Sequence, residues 1–193
     1  IITSKQSHTF RTDTAPIQSL FSTDAIGTIS QQLEHTALVR YKDHQLPCRV
    51  LGVDSLFTRT AHIDSVITDG FYSVYDGAFE RAVLGRGLAA QIGINAHFTG
   101  ALHLYAPKRI GKINMLRPDQ SLEHEHAFIA GTFAINQVDY DDQLMLISLP
   151  LAQRLFGFDN QTVTALRIQP ADGYSIEETK QRIKSIVGSE YNV

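Results

Sequence analysis

Three small residues within the segment 83–94 have the spacing of a phosphate-binding turn. Gly85, Gly87 and Ala90 form the pattern G-x-G-x-x-A, in which backbone amides at the start of a helix can hold a pyrophosphate. A dinucleotide site of this kind also needs a preceding strand, a long following helix and an acidic residue about 20 positions later, which binds the ribose. The chemistry that the pattern could support is therefore the binding of a nucleotide cofactor.

The surroundings of this turn meet only the first of these requirements. Residues 82–84 are apolar and predict a strand, but Gly93 and Asn95 limit the following helix to about two turns. The chain has no Asp or Glu between Glu80 and Asp119. We therefore expect a tight strand-to-helix turn and no bound cofactor, with an enzyme that uses the turn as the alternative.

Two other groups of residues could bind a metal ion or transfer a proton. On a strand, His124 and His126 would point to the same side within the segment EHEH at 123–126, but zinc needs three or four converging ligands. Three Asp residues at 139, 141 and 142 suggest paired carboxylates or a calcium loop, although a calcium loop needs a longer series of ligands. We expect an exposed hairpin arm, an Asp-rich turn and no metal site.

Nucleophilic catalysis and ATP hydrolysis lack their usual motifs in this chain. Neither G-x-S-x-G nor G-x-x-x-x-G-K-[ST] occurs. Cys48 lies in a strand pattern between Pro47 and Arg49, which is typical of a packed thiol rather than a reactive one. We expect a protein without a catalytic site of its own.

A long polar connection at residues 106–125 carries the side chains best suited to binding a partner. Loops longer than about 12–15 residues without secondary structure are often functional. Basic and apolar groups occur together here, a combination that suits an acidic or amphipathic surface; the alternative is a mobile, solvated loop. The candidate partner-binding residues are Pro107, Lys108, Arg109, Lys112, Met115, Leu116 and Arg117.

Composition indicates a folded protein that does not bind nucleic acid. The 193 residues are 43% hydrophobic and 19% charged, and the net charge of −3 comes without a basic run. A single cysteine excludes an internal disulfide. No apolar run approaches the roughly 18 residues that span a bilayer, and because the chain begins at Ile1 we expect it to be part of a longer polypeptide.

The two ends of the chain each predict a β-α-β unit. The N-terminal unit comprises a short strand at 1–10, a helix of about ten residues from Pro16, and strands at 29–42 and 46–53. The C-terminal unit comprises a strand at 163–168, a helix that Gly188 ends, and a strand at 191–193. That helix begins with a capping box formed by Ser175 and Glu178, and its predicted buried stripe is Ile176, Thr179, Ile183 and Ile186.

The middle of the chain, residues 60–158, predicts shorter elements. We expect a turn at Asp69-Gly70, strands at 102–106 and 128–133, and a strand at 143–149 that is buried on both faces. A short helix from Pro150 to Phe156, ended by Gly157, follows it. The two terminal units can share one sheet, with this middle part inserted between them.

Five segments of the chain occur in an order that is typical of one protein family. They are VLGVD at 50–54, VLGRGLA with IGI at 83–94, FIAGTF at 128–133, DYD at 139–141, and LISL with AQRL at 146–155. Together they resemble the MacB-like periplasmic core domain of FtsX-like ABC transporter permeases, which include lipoprotein-releasing permeases. The chain departs from the family at 95–100, where a Gly-Asp turn is usual.

The resemblance implies an α+β fold with two subdomains. A porter-like subdomain would contain residues 1–59 and 159–193, and a sabre-like subdomain would be the insertion at 60–158. The domain would lie in the periplasm as part of an inner-membrane permease, and would couple ATP hydrolysis by a cytoplasmic ATPase to release of a lipoprotein.

The resemblance also implies partners. The connection at 106–125 resembles a hook that engages a periplasmic lipoprotein carrier, and the permease would pair with a partner permease or with a second copy of itself. A MacB-like drug or peptide efflux permease is one alternative, and a stand-alone binding or adhesion domain is another.

Overall fold

The computed structural model describes residues 1–74, 76–94, 100–109 and 121–193, and it has an α+β fold. The strands are β1 (Thr3–Ser4), β2 (Phe10–Arg11), β3 (Ile26–Tyr41), β4 (His44–Val53), β5 (Ile67–Gly70), β6 (Arg81–Gly85), β7 (Ala101–Pro107), β8 (Leu122–Phe133), β9 (Leu144–Ser148), β10 (Thr162–Val163), β11 (Ala165–Pro170) and β12 (Tyr191–Asn192). The helices are α1 (Ala15–Leu20), α2 (Phe57–Ala61), α3 (Arg86–Gln91), α4 (Val138–Asp141), α5 (Leu149–Leu155) and α6 (Ile176–Val187), with 3-10 turns at Ile63–Val66 and Gly188–Glu190.

The main sheet is mixed, and its hydrogen-bonded path closes on itself. Its strands follow the order β11-β3-β4-β9-β6-β8-β5, and β7 pairs with both β3 and β8. The strands β3, β4, β9, β6, β8 and β7 therefore form a ring. All six contribute to the largest core cluster, together with α3 and α5.

A second core cluster lies on the opposite face of the sheet. Alternate residues of β9 divide between the two clusters, which is why this strand is buried along its whole length, as predicted. The second cluster contains Val53, Phe57, Ile63, Val74, Val83, Ala130, Phe133, Leu144 and Leu146. It places α2 and the following 3-10 turn against the outer face of β4 and β9.

The two ends of the chain fold against each other, which confirms that prediction. Thr3 pairs with Asn192 in an antiparallel β1–β12 ladder, and β2 pairs with β10. Ile2 exchanges backbone hydrogen bonds with Leu166 at 2.8 and 3.0 Å. A third core cluster, to which α1, α6 and β11 contribute, fills the space between these elements.

One sheet runs through all three predicted parts of the chain. In it, β3 and β4 come from residues 1–59, β9, β6 and β8 from residues 60–158, and β11 from residues 159–193. The boundaries of the two subdomains stay a prediction.

Three local predictions at the chain ends were wrong. Only residues 3–4 and 10–11 of the first segment form strands, and α1 has six residues instead of ten. The hydroxyls of Ser19 and Thr23 donate to carbonyls four residues earlier, which weakens the helical preference where α1 ends. Ile176 is 77% exposed, because it is the first residue of α6 and lies away from the buried side of that helix.

The turn predicted at Asp69-Gly70 was also wrong, because both residues belong to β5. They pair with Thr132 and Gly131 of β8, next to an irregularity in the register. Gly70 has a φ of 71°, so a residue with the backbone of a turn is accommodated inside a strand.

The predicted helix signals at the C-terminal end are confirmed. The Ser175 hydroxyl accepts from the Glu178 N–H, and the Glu178 carboxylate accepts from the Ser175 N–H at 2.9 Å. The Ser175 hydroxyl also donates to the Glu178 carboxylate at 2.7 Å, and this hydrogen bond, followed by the one from the Ser175 N–H, holds the pKa of Glu178 below its usual value. Gly188 ends α6 with a φ of 70°. Among the described residues, no helix is both long enough and apolar enough to cross a bilayer.

The pairing of the chain ends can be tested with a disulfide. The side chains of Thr3 and Asn192 approach to 3.4 Å, so we expect the double variant Thr3→Cys/Asn192→Cys to oxidise readily and to melt at a higher temperature. Closing a loop of roughly 190 residues contributes up to about 5 kcal/mol through the unfolded state. Each single variant under the same oxidising conditions is the control. A double variant that stays reduced would show that the ends do not pair.

Candidate functional site

The glycine turn lies between β6 and α3, and another part of the chain covers it. Gly85 ends β6 and precedes α3, which has only six residues. A Cβ atom on Gly85 would collide with the carbonyl oxygen of Asp141, and one on Gly87 would collide with the carboxylate of Asp142. The Gln91 side chain also donates to the Asp142 carbonyl at 3.2 Å. The two glycines thus allow α4 to approach α3 closely.

This packing explains why the pattern makes a turn rather than a phosphate site. The space over the first turn of α3 is filled by Asp141 and Asp142, whose negative charges oppose a bound anion. Asp141 is held by a hydrogen bond from the Ile135 N–H at 2.9 Å. The predicted tight turn is confirmed, whereas the absence of an enzymatic activity stays a prediction. Sequence reasoning treated the Asp-rich turn separately and missed that it covers the glycines.

The structure describes three of the seven candidate partner-binding residues, at the base of the long connection. Lys112, Met115, Leu116 and Arg117 lie outside the described residues. Pro107 ends β7, and the Lys108 N–H donates to the Ser121 carbonyl at 2.9 Å, so the two ends of the connection start side by side. Pro107, Lys108 and Arg109 are all exposed.

Arg109 is bound to the segment that follows α5. Its guanidinium carbon lies 4.0 Å from the centroid of the Phe158 ring, and its Nη1 donates to the Gly157 carbonyl at 3.2 Å. Within the described part of the chain, Lys108 makes no ion pair. Arg109 therefore positions the start of the connection, and Lys108 presents its charge to solvent.

An aromatic cluster joins this anchor to β3. The ring of His35 lies 5.1 Å from that of Phe156 and 5.7 Å from that of Phe158, and His8 packs edge-on against it at 4.8 Å. Burial lowers the pKa of His35, and the neighbouring charges of His8 and Arg109 lower it further. No sequence signal links positions 35, 109 and 158, because only the fold brings them together.

The segment at 123–126 forms part of β8 and is a polar hairpin arm, as predicted. His124 and His126 are exposed on the same side, and His124 Nε2 lies 3.0 Å from Nδ1 of His103 on β7. Tyr105 stacks on His124 with ring centroids 4.7 Å apart. Burial, followed by the charges of His124, Arg40 and His126, lowers the pKa of His103. Residues 1–74, 76–94, 100–109 and 121–193 contain no group of three or more His, Cys, Asp or Glu able to hold a metal ion.

The thiol of Cys48 and the hydroxyl of Ser148 both have structural roles. Cys48 is 2% exposed, and burial raises its pKa to about 12, which confirms a packed thiol. The Ser148 hydroxyl accepts from the Leu151 N–H at the start of α5 and donates to Glu80 at 2.7 Å. Glu80 also pairs with Arg154 at 2.7 Å. Ser148 therefore caps a helix and joins an ion-pair network.

Solved structures of transporter domains match almost the whole chain, whereas no family model and no curated protein matches its sequence. The extracellular domain of the noncanonic ABC-type transporter YknZ from Gram-positive bacteria matches with a TM-score of 0.64 and 11% identity, over 100% of this chain and 97% of that one. The periplasmic region of MacB from Actinobacillus actinomycetemcomitans matches with a TM-score of 0.66 and 7% identity, over 99% of this chain and 85% of that one. This chain shares their fold.

The likeness confirms the α+β fold that the resemblance implied. The chain and the two transporter domains share a mixed arrangement of strands and helices over nearly their full lengths. Identities of 7% and 11% establish the fold alone.

The glycine turn predicts a specific stability effect. We expect Gly85→Ala to lower the free energy of unfolding by about 2–3 kcal/mol, because the new methyl group would displace the backbone at Asp141. The measurement is equilibrium unfolding in urea. Gly77→Ala is the control, since Gly77 has a φ of 75° with no atom within 4 Å of the added carbon, and should lose only about 1 kcal/mol from backbone strain. Equal losses in both variants would contradict the close contact.

Proposed function

We propose that this chain is an extracytoplasmic domain of an ABC transporter permease. It would transmit the motion driven by a cytoplasmic ATPase subunit to a substrate or partner outside the inner membrane, in a permease that pairs with a second permease or with its own copy. The observation that carries this proposal is the β1–β12 ladder, which places the two ends of the chain side by side. A domain inserted between two membrane helices needs both ends at one place on its surface. The fold shared with the YknZ and MacB domains supports the same function.

A mechanical role without catalysis suits the chemistry of the described residues. The glycine turn is filled by acidic residues, and the thiol of Cys48 is buried with a raised pKa. The long strand β3 connects the paired ends with the base of the basic connection. We therefore propose that the domain couples motion and leaves hydrolysis to the ATPase.

Within this class we favour a permease of the lipoprotein-releasing type. Its basic connection would contact an acidic or amphipathic surface of a periplasmic lipoprotein carrier. Support comes from the exposed position of Lys108 and from the anchoring of Arg109, which fixes the direction in which the connection leaves the sheet. Export of a drug or peptide, the second candidate, is favoured by the fold shared with the periplasmic region of MacB.

The location of the domain can be tested by labelling in intact cells. In the full-length protein, Gln181→Cys places a thiol on the exposed side of α6, and we expect a membrane-impermeant maleimide to label it before lysis. The parent protein is the control, because the buried thiol of Cys48 should stay unlabelled. The labelled protein should remain in the membrane fraction after carbonate extraction. Labelling only after lysis would contradict an extracytoplasmic domain. Release of the labelled protein by carbonate would contradict a membrane permease and would favour a stand-alone domain.

Contact with a carrier can be tested by charge reversal that spares the Arg109 anchor. We expect Lys108→Glu/Lys112→Glu to weaken binding of the lipoprotein carrier about tenfold at low salt, with less effect at high salt and no change in melting temperature. Binding would be measured by calorimetry. Lys5→Glu/Lys184→Glu makes the same change of charge at exposed sites near the chain ends and should leave binding unchanged. Equal affinity in both double variants would contradict docking through the connection while leaving the permease proposal intact.

A further inference from the structure

A groove of about 320 Å³ lies on the outer face of the sheet, beside α2. Strands β3, β4 and β9 form its floor, and α2 with the following 3-10 turn forms one wall. Ile135 and Tyr140 border the other side. This volume is at the lower end of small-molecule pockets, and an α-helix about 10–12 Å wide would need a larger surface. The groove therefore suits a narrow small molecule rather than a partner helix.

Most of the groove is apolar and belongs to the second core cluster. Its apolar lining includes Leu51, Phe57, Ile63, Phe133, Leu144 and Leu146. Phe57, Ile63, Phe133, Leu144 and Leu146 are already buried and form the base of the groove. A hydrocarbon chain would chiefly cover the partly exposed lining side chains, which are Leu51, Ala61, Val66 and Ile135, and would itself leave water. The lining thus favours an aliphatic body.

One end of the groove carries a polar group that is not satisfied. Gln32 is 7% exposed, and its amide nitrogen has no hydrogen-bond partner among the described residues. A buried donor without a partner destabilises the fold, so a native structure that retains one calls for an explanation. The nitrogen is covered from solvent, but the terminal torsion of a glutamine is soft, and the amide can turn toward an acceptor in the groove.

The charge at this end of the groove is positive. Arg49 is balanced by Glu34, with their side chains 2.7 Å apart. Arg167 uses its Nε to donate to the Thr60 carbonyl at 3.0 Å, and within the described residues it has no carboxylate partner. Ile1 also lines the groove, and burial, followed by the charges of Arg167 and Lys180, lowers the pKa of its amino group. The Arg167 guanidinium and this neighbouring amino group are therefore the positive groups available to a monoanion.

Arg167 and Gln32 are close enough to bind the same anionic group of a ligand. Ala165 is the antiparallel partner of Gln32, and Arg167 lies two residues further along β11, so the two side chains are diagonal neighbours on one face. Diagonal neighbours of this kind are about 7–8 Å apart, a distance that a carboxylate with two oxygen acceptors can bridge.

We propose that this groove binds a single-chain amphiphile with one anionic head, of the fatty-acid class. The carboxylate accepts hydrogen bonds from the Arg167 guanidinium and the Gln32 amide, and the hydrocarbon chain lies along the apolar wall toward Phe133. This binding goes beyond the proposed transport function and does not depend on it, because all of its contacts lie within the chain itself.

The test uses the 193-residue chain and dodecanoate below its micelle concentration, measured by calorimetry. We expect saturable binding of one dodecanoate per chain, much weaker binding of dodecanol, and none of dodecylamine. Arg167→Gln should weaken dodecanoate binding about tenfold or more, because it removes the charge-assisted contact. Arg154→Gln is the matched control, since Arg154 is paired with Glu80 and Glu125 outside the groove, and should bind dodecanoate like the parent.

Two further variants separate the groove from a non-specific surface. Gln32→Leu should weaken dodecanoate binding while raising the melting temperature of the free protein, because it removes a buried donor without a partner. Ala61→Phe should fill the groove and abolish binding of the chain. The proposal is overturned by absent or unsaturable binding, by equal binding of dodecylamine, by unchanged affinity in Arg167→Gln or Ala61→Phe, or by a lower melting temperature in Gln32→Leu. Failure of the permease proposal would leave all of these results unaffected.

Discussion

The backbone ladder of β3 is the interaction on which the rest of the structure depends. This strand has 16 residues, and at the roughly 3.3 Å rise of a strand it spans about 50 Å. One edge pairs with β4 from Gln32 to Tyr41, while the other pairs first with β11 and then with β7. The same strand therefore holds the paired chain ends at one end and closes the ring of strands at the other. One hydrogen-bonded strand therefore joins the paired chain ends to the hairpin of β7 and β8.

Short sequence patterns correctly predicted those elements whose structure depends on interactions between neighbouring residues. The capping box at Ser175, the doubly buried strand β9 and the short helix after Ser148 all follow from residue types within a few positions of one another. The ring is different, because β7 joins β3 and β8 through residues that are distant in sequence, such as Val39 with Leu104 and His103 with His126. The alternation of apolar and polar residues along a strand does not indicate which other strand it pairs with. The error at Asp69-Gly70 is of the same kind, since the long-range pairing with β8 overrode a local turn signal.

The segments that carry the family resemblance mark close packing rather than chemistry. Gly52 lies beneath Ala152, where a Cβ atom would collide with the methyl group of α5, and Gly87 lies beneath Asp142. The first pair fixes how near α5 lies to β4, and the second fixes how near the end of α4 lies to α3. Steric constraints of this type involve few positions and leave most of the others free to vary. They also explain why the sequence pattern could indicate the fold and yet could not indicate the groove beside α2. Nothing in the sequence around Gln32 or Arg167 indicates a binding site, because only the pairing of β3 with β11 brings the two side chains together.

Two basic side chains at the start of the connection at 106–125 have different surroundings in the structure. The cations of this connection looked equivalent in the sequence, yet Arg109 is held against Phe158 while Lys108 is exposed. The same Phe158 ring also packs against His35 of β3, so the anchor of the connection rests on the strand that joins the two ends of the chain. Burial, followed by the charges of His8 and Arg109, lowers the pKa of His35, which favours the neutral imidazole. A neutral ring adds no repulsion to the guanidinium that shares Phe158 with it. The side chains of His35, Phe158 and Arg109 thus form a continuous set of contacts from β3 to the start of the connection.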